Sequence, residues 1–179
     1  MKNIFSLVLL LLLQQIVIAQ LPKKVSSKTA LYFVRHGEKL SGKDPVLTGA
    51  GNKRAGELMR ILKDKHIKRI YVTQFKRTQM TGDSLRIQLG IDTVHYNADT
   101  IGTDLFNKIA FQKDFNTHIL IIGHSNTIDD YIRKAGVKEY PKIDIPDNEF
   151  DNIYKVYYRR PFLFCKLKAH VKAWKYGKQ

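Results

Sequence analysis

Arg35-His36-Gly37-Glu38-Lys39, Thr73-Gln74-Phe75-Lys76-Arg77-Thr78 and Gly123-His124-Ser125-Asn126-Thr127 are three segments that follow directly on apolar runs and carry arginine or histidine. Brought to one point, two guanidiniums and two imidazoles form a site for a tetrahedral dianion, because arginine presents a rigid fork of donors matched to phosphate oxygens. At ~4 Å and an effective dielectric near 20, each such charge pair is worth about 4 kcal/mol before desolvation. The same magnitude argues against a metal: a divalent cation between His36 and His124 is repelled by Arg35 and Arg77, and no carboxylate cluster at ligand spacing accompanies the histidines. With phosphate held, a neutral imidazole can attack phosphorus and divide one hard hydrolysis into formation and breakdown of a phosphoramidate. His36 is the expected nucleophile, since it follows Arg35 at a strand end and Gly37 lets the backbone turn so that amides also reach the phosphate. His124, before a helix start expected at Ser125, is placed to stabilise charge on the equatorial oxygens and to move protons.

These segments need a scaffold that delivers them to one edge, and the hydrophobic pattern supplies it. Residues 31–34, 70–72, 93–96 and 119–122 read as strands, and amphipathic stretches after them read as crossover helices: Ala55, Leu58, Met59 and Leu62 behind a Thr48 cap, a helix over 77–89, Leu105, Phe106, Ile109 and Ala110, and Ile128, Tyr131, Ile132 and Ala135. The alternation predicts a three-layer α/β/α fold on a mostly parallel central sheet. Residues 153–158 and 162–171, joined at Arg159-Arg160-Pro161, read as a C-terminal hairpin closing that sheet, followed by a loose basic tail. In open α/β sheets ligands bind beyond the carboxyl ends of the strands, which is where the three segments fall.

The basic start Met1-Lys2-Asn3 and the apolar run over 4–19, broken only by Ser6, Gln14 and Gln15, form a secretory signal pattern with cleavage expected after Ala19. The run is shorter than the ~20 residues of a spanning helix, so the expected mature product, residues 20–179, is a single domain that does not span a membrane and is secreted or periplasmic. The formal charge of +15 favours anionic partners. After Asp151 there is no acidic residue, whereas Lys155, Arg159, Arg160, Lys166, Lys168, Lys172, Lys175 and Lys178 follow, a surface suited to anionic contact without specific nucleic-acid recognition. The single cysteine, Cys165, sits in an apolar stretch and reads as a buried thiol. His66, His95, His118 and His170 stand beside no matching residues and read as structural or surface positions.

Taken in order, Val34-Arg35-His36-Gly37-Glu38, Leu47-Thr48 with Gly51, Arg77-Thr78 and Gly123-His124-Ser125 resemble the phosphoglycerate mutase-like histidine phosphatase superfamily over residues 31–135. The resemblance implies His36 as nucleophile, Arg35 and Arg77 as phosphate clamps, His124 as the second pocket histidine, a small phosphorylated substrate, and no metal or organic cofactor. Many members carry an acid after the third strand that protonates the leaving group. Here that position offers Asp99 or Asp104, outside any recognisable motif, and Ser125 rather than an acid follows His124. In this the chain resembles the small bacterial phosphohistidine phosphatases, and aryl, acyl or phosphoramidate substrates are expected to react fastest. Glu38, close to His36 in sequence, is a further candidate for that acid and is equally placed to orient Arg35. Two alternatives share these residues: a mutase that returns the phosphoryl group to a second hydroxyl, and a non-catalytic protein that holds phosphates or polyanions.

Overall fold

The structure, a computed structural model, describes residues 25–163 and 165–177; the expected leader over 1–19 lies outside them. The elements in chain order are β1 (Ala30–Arg35), α1 (Gly49–Leu62), β2 (Ile67–Thr73), α2 (Lys76–Leu89), β3 (Thr93–Tyr96), α3 (Thr103–Phe111), β4 (His118–Gly123), α4 (Ile128–Lys134), β5 (Asn152–Arg159) and β6 (Lys168–Lys175). They form one six-stranded sheet of order β3-β2-β4-β1-β5-β6, parallel among its first four strands and antiparallel at β5 and β6.

Strand β1 is buried along its whole length because it lies between β4 and β5 with helices over both faces. Alternation with period two divides its side chains. Tyr32 and Val34 join Leu58 and Leu62 of α1 and Leu85 of α2 in one cluster, while Leu31 and Phe33 join Leu105 and Ile109 of α3 and Tyr131 and Ile132 of α4 in the other. Each fully covered side chain of this kind contributes roughly 1.5–3 kcal/mol, and a strand that feeds two cores cannot shift register without emptying both. Within the described residues no helix is long and apolar enough to cross a membrane.

The position of β4 is what assembles the site. It enters between β1 and β2, in register at Arg35↔Gly123 and at Val72↔Ile122, so the loops after three strands distant in sequence become neighbours at one level. The ladder runs one residue further, His36 N–H donating to Gly123 O at 3.1 Å.

The C-terminal part corrects several expectations. The last strand runs over Lys168–Lys175 rather than 162–171, because Ala169, Val171 and Ala173 face Tyr158, Val156 and Tyr154 in the register that β5 dictates. The apolar residues at 162–163 belong to the turn and are exposed. The tail is not loose as far as Gly177: Tyr176 is buried in the α1–α2 core and its N–H donates to Asp151 O at 2.7 Å. Cys165 is exposed, since it lies in that turn and not in a strand. Ala110 is exposed on α3, and α4 starts at Ile128, three residues beyond the expected Ser125, with Thr127 N–H turning back to His124 O at 3.2 Å.

Candidate active site

His36 and His124 face one another at the carboxyl edge of the sheet, ring centroids 5.4 Å apart and planes tilted by 64°. They are 4% and 8% exposed. Nδ1 of His36 lies 2.8 Å from Gly37 O. A carbonyl can only accept, so this contact places the ring proton on Nδ1 and leaves the lone pair on Nε2. Burial, with the charges of Arg77, Arg35 and Lys39, outweighs the carbonyl's opposing effect and lowers the His36 pKa to about 4. Burial, reinforced by His36, Arg77 and Arg35, lowers His124 to about 3. Both rings are therefore neutral at pH 7.

Each arginine of the set lies on a phenylalanine that also packs against one of these imidazoles. Cζ of Arg35 is 4.2 Å from the Phe150 ring centroid, and Phe150 stands 6.1 Å from His36. Cζ of Arg77 is 4.3 Å from Phe75, and Phe75 meets His124 edge-on at 5.5 Å. Cation–π contact of this kind fixes a guanidinium without consuming its N–H donors. Arg35 is further held by the backbone: one terminal nitrogen donates to Pro146 O at 2.8 Å and Glu149 O at 3.0 Å, and the other reaches Asp147 Oδ1 at 3.4 Å. Burial lowers the pKa of both guanidiniums, opposed by Asp147 at Arg35 and by Asp44 at Arg77. The Nε atoms of Arg35 and Arg77 are buried with no hydrogen-bond partner among the described residues. Two desolvated cationic donors beside two neutral imidazoles are what a bound oxyanion would complete.

Glu38 serves a different arginine from the one expected. Arg54 of α1 holds its carboxylate through contacts of 2.9, 2.8 and 2.6 Å. Burial alone would raise the Glu38 pKa, but the Arg54 hydrogen bonds override it and the carboxyl is held below its usual range. The amide of Gly37 is likewise committed, donating to Thr81 Oγ1 at 2.9 Å. The requirement for glycine there is one of space. A Cβ on Gly37 would lie 3.1 Å from Gly51 O, and one on Gly51 would lie 2.2 Å from Glu38 O. The nucleophile loop and the start of α1 are thus in backbone contact.

Asp99 is used structurally. Its two carboxylate oxygens accept from the N–H groups of Thr103 and Asp104 at 3.0 and 3.1 Å, capping α3, and its carbonyl accepts from the Tyr131 hydroxyl at 2.9 Å. Asp104 accepts from Asn97 N–H at 2.7 Å and meets Lys108 at 3.2 Å. Every charged side chain that shifts His36 or His124 is cationic or the other imidazole. Thr73, Phe75, Arg54 and Phe150 are the neighbours that sequence reasoning did not single out; Thr73 and Phe75, in the segment that leads into α2 and Arg77, are the two whose positions hinted at it. Among the described residues no three His, Cys, Asp or Glu side chains gather closely enough to hold a metal ion.

The model of the histidine phosphatase superfamily (branch 1) matches residues 31–99, a stretch that takes in Arg35, His36 and Arg77 and ends at Asp99. No curated protein matches the chain by sequence. Among solved structures, a candidate phosphohistidine phosphatase, SixA from Agrobacterium tumefaciens, is 19% identical and aligns over 74% of this chain and 92% of its own with a TM-score of 0.57. A mycobacterial glucosyl-3-phosphoglycerate phosphatase in complex with VO3 is 13% identical, with 82% and 98% covered and a TM-score of 0.59. A phosphoserine phosphatase from Entamoeba histolytica in complex with 3-phosphoglyceric acid is 18% identical, with 72% and 90% covered and a TM-score of 0.51. Residues 31–99 are thus similar to the histidine phosphatase superfamily (branch 1), and the chain shares the fold of these solved phosphatases.

Proposed function

We propose that the protein is a phosphatase that hydrolyses small phosphoryl compounds through a phosphohistidine on His36. The observation that carries this reading is the Nδ1 contact of His36 with Gly37 O, which leaves Nε2 unprotonated on a neutral ring between two arginines with unused donors. Arg35 and Arg77 hold the phosphoryl oxygens. Nε2 attacks phosphorus, the P–N bond forms as the P–O bond breaks, and the leaving oxygen departs with the electron pair. The positive charge that then appears on the imidazole is stabilised where Nδ1–H meets the carbonyl. Water next attacks phosphorus, the P–N bond breaks, inorganic phosphate leaves and neutral His36 is restored. His124 donates toward the equatorial oxygens as charge builds on them.

The cationic surroundings of both imidazoles and the capping role of Asp99 support the finer reading that proton donation to the leaving group is weak. Substrates with good leaving groups, aryl, acyl or phosphoramidate, are then favoured over alkyl phosphates. A cleft of about 450 Å³ lined by Ser125, Asn126, Lys142, Asp144 and Asp147 adjoins the loop of His124 and is the proposed seat of the leaving group. Export from the cytoplasm is proposed on the leader pattern over 1–19 alone. Trapping acid-labile, base-stable phosphate on the protein and mapping it to His36 tests the central claim; label at another residue, or turnover retained by His36→Ala, overturns it.

A further inference from the structure

The β5–β6 hairpin is built against its own electrostatics. In its antiparallel register Lys155 stands opposite Lys172, and Arg159 opposite Lys168, with Tyr157 opposite His170 between them. Directly opposed residues share a face, and like charges there are destabilising. The Tyr157 and His170 rings stack at 5.5 Å and Cζ of Arg159 sits 5.1 Å from Tyr157, but among the described residues no carboxylate forms an ion pair with the two cationic rungs. Among the described residues, Lys175 is the cation of this hairpin that meets acids, Glu149 at 3.1 Å and Asp151 at 3.6 Å.

At the tip the charge is joined by exposed apolar surface. Phe162 is 77% exposed and Leu163 is 79% exposed. In sequence they lie between Arg159-Arg160 and Lys166 with Lys168. Apolar side chains at a protruding turn, with long cationic side chains behind them, match the two halves of an anionic bilayer surface: an acyl boundary that takes the apolar groups and acidic headgroups that take the cations. A nucleic acid would also satisfy the cations, yet it offers an aliphatic leucine no partner, so the composition of the tip favours lipid.

We propose that the tip of the β5–β6 hairpin docks the protein on anionic lipid, with Phe162 and Leu163 entering the headgroup–acyl boundary and Arg159, Arg160, Lys166 and Lys168 engaging acidic headgroups. The orientation follows from the register. Strand β5 runs antiparallel to β1, pairing Val34↔Ile153 at one end and Ala30↔Tyr157 at the other, so the tip projects past Ala30, away from His36. At about 3.3 Å per residue it lies roughly 20 Å or more from the imidazoles. Docked in this way, the protein turns its phosphate site toward the solution.

The test is sedimentation with phosphatidylcholine vesicles with and without phosphatidylglycerol, using a chain that starts at Gln20 and so contains every described residue without the apolar leader. Binding is expected only to the phosphatidylglycerol vesicles and should weaken with salt. It should fall about fivefold for each cation removed in R159Q and R160Q, and at least tenfold in the double variant Phe162→Ser, Leu163→Ser. Unchanged melting temperatures establish that the variants are folded, and the readout does not depend on catalysis. Absence of vesicle binding, equal binding to phosphatidylcholine alone, or full binding by the serine variant with an equal affinity for duplex DNA each overturns the proposal.

Discussion

The hydroxyl of Thr73, at the end of β2, stands 3.2 Å from Nε2 of His124 and 2.9 Å from the hydroxyl of Thr78. Thr78 has an acceptor of its own in Phe75 O at 2.8 Å. Thr73 can therefore either give its proton to His124 or accept one from it, and it is a positioning residue for that ring rather than a catalytic one. Loss of one such bond costs roughly three- to tenfold. Thr73→Val should lower kcat by that factor with a smaller change in inhibition by phosphate, and Thr73→Ser should restore it. Wild-type kcat in the valine variant would remove the assigned role.

Substitution of His36 by alanine should abolish both turnover and covalent labelling. Arg77→Ala should lower kcat/KM by about 10²–10³-fold, as loss of a donor aimed at developing charge does. Arg77→Lys should recover only part of that loss, because the ammonium keeps the charge and loses the fork. Steady-state kinetics with a chromogenic aryl phosphate distinguish the three variants, and full activity in the lysine variant would argue against bidentate clamping.

Imidazole titration gives a separate check. With folded pKa values of about 4 for His36 and about 3 for His124, both below the ordinary 6.5, the unfolded chain binds more protons than the folded one between those values. Stability should therefore be undiminished above about pH 6.5 and fall as the pH drops below it, on the order of 3 kcal/mol for His36 and on the order of 4 kcal/mol for His124 by the time each folded pKa is reached. Melting curves of the His36→Asn variant should show a shallower acid dependence. Added phosphate should raise both midpoints in an NMR titration, since a dianion favours the imidazolium; midpoints near 6.5 without phosphate would contradict the burial argument.

Gly51→Ala places a methyl 2.2 Å from Glu38 O, in a contact between two stretches of backbone. A cost of about 1–3 kcal/mol is expected, as for overpacking elsewhere. Because the displaced atom belongs to the loop that carries His36, activity should fall further than loss of folded protein explains. Denaturant unfolding measured beside kcat for the same preparation tests this, and a stable, fully active variant would show that the loop can yield.

Asp99→Asn should destabilise the protein by about 0.5–2 kcal/mol through the weakened cap on α3, while the dependence of the chemical step on leaving-group pKa stays steep. A graded series of aryl phosphates provides the measurement. A slope that steepens in the variant would identify Asp99 as the proton donor and give its carboxylate a part in catalysis beyond the cap.

The parallel half of the fold was legible because its strands are short apolar runs ended by polar loops, and because Thr48, Leu58 and Ile132 sit where helix caps and faces require them. The approach of Arg35, His36, Arg77 and His124 was legible because strand ends were identifiable and ligands gather at such ends. The partners of the loop residues were not legible. Glu38 pairs with Arg54, sixteen residues later, only because the glycines at 37 and 51 bring α1 against the loop, and a sequence does not display that distance. The last strand was misread because Phe162 and Leu163 look like core, whereas the register is set by Tyr154, Val156 and Tyr158 on the partner strand. Asp99 illustrates a third limit: a sequence separation does not show that both oxygens of a carboxylate accept backbone amides at a helix start.

Arg35 owes two of its hydrogen bonds to peptide carbonyls, those of Pro146 and Glu149, and its contacts with side chains of that segment are the Asp147 carboxylate and the Phe150 ring. Since every residue type brings the same carbonyl, cleft-lining positions such as 142 and 144 can exchange side chains and remodel the adjoining cleft while Asp147, Phe150 and the two carbonyls keep the guanidinium's aim. Recognition of the departing group and grip on the phosphoryl group are thereby separable, so this loop is where new preferences can be grafted without rebuilding the chemistry.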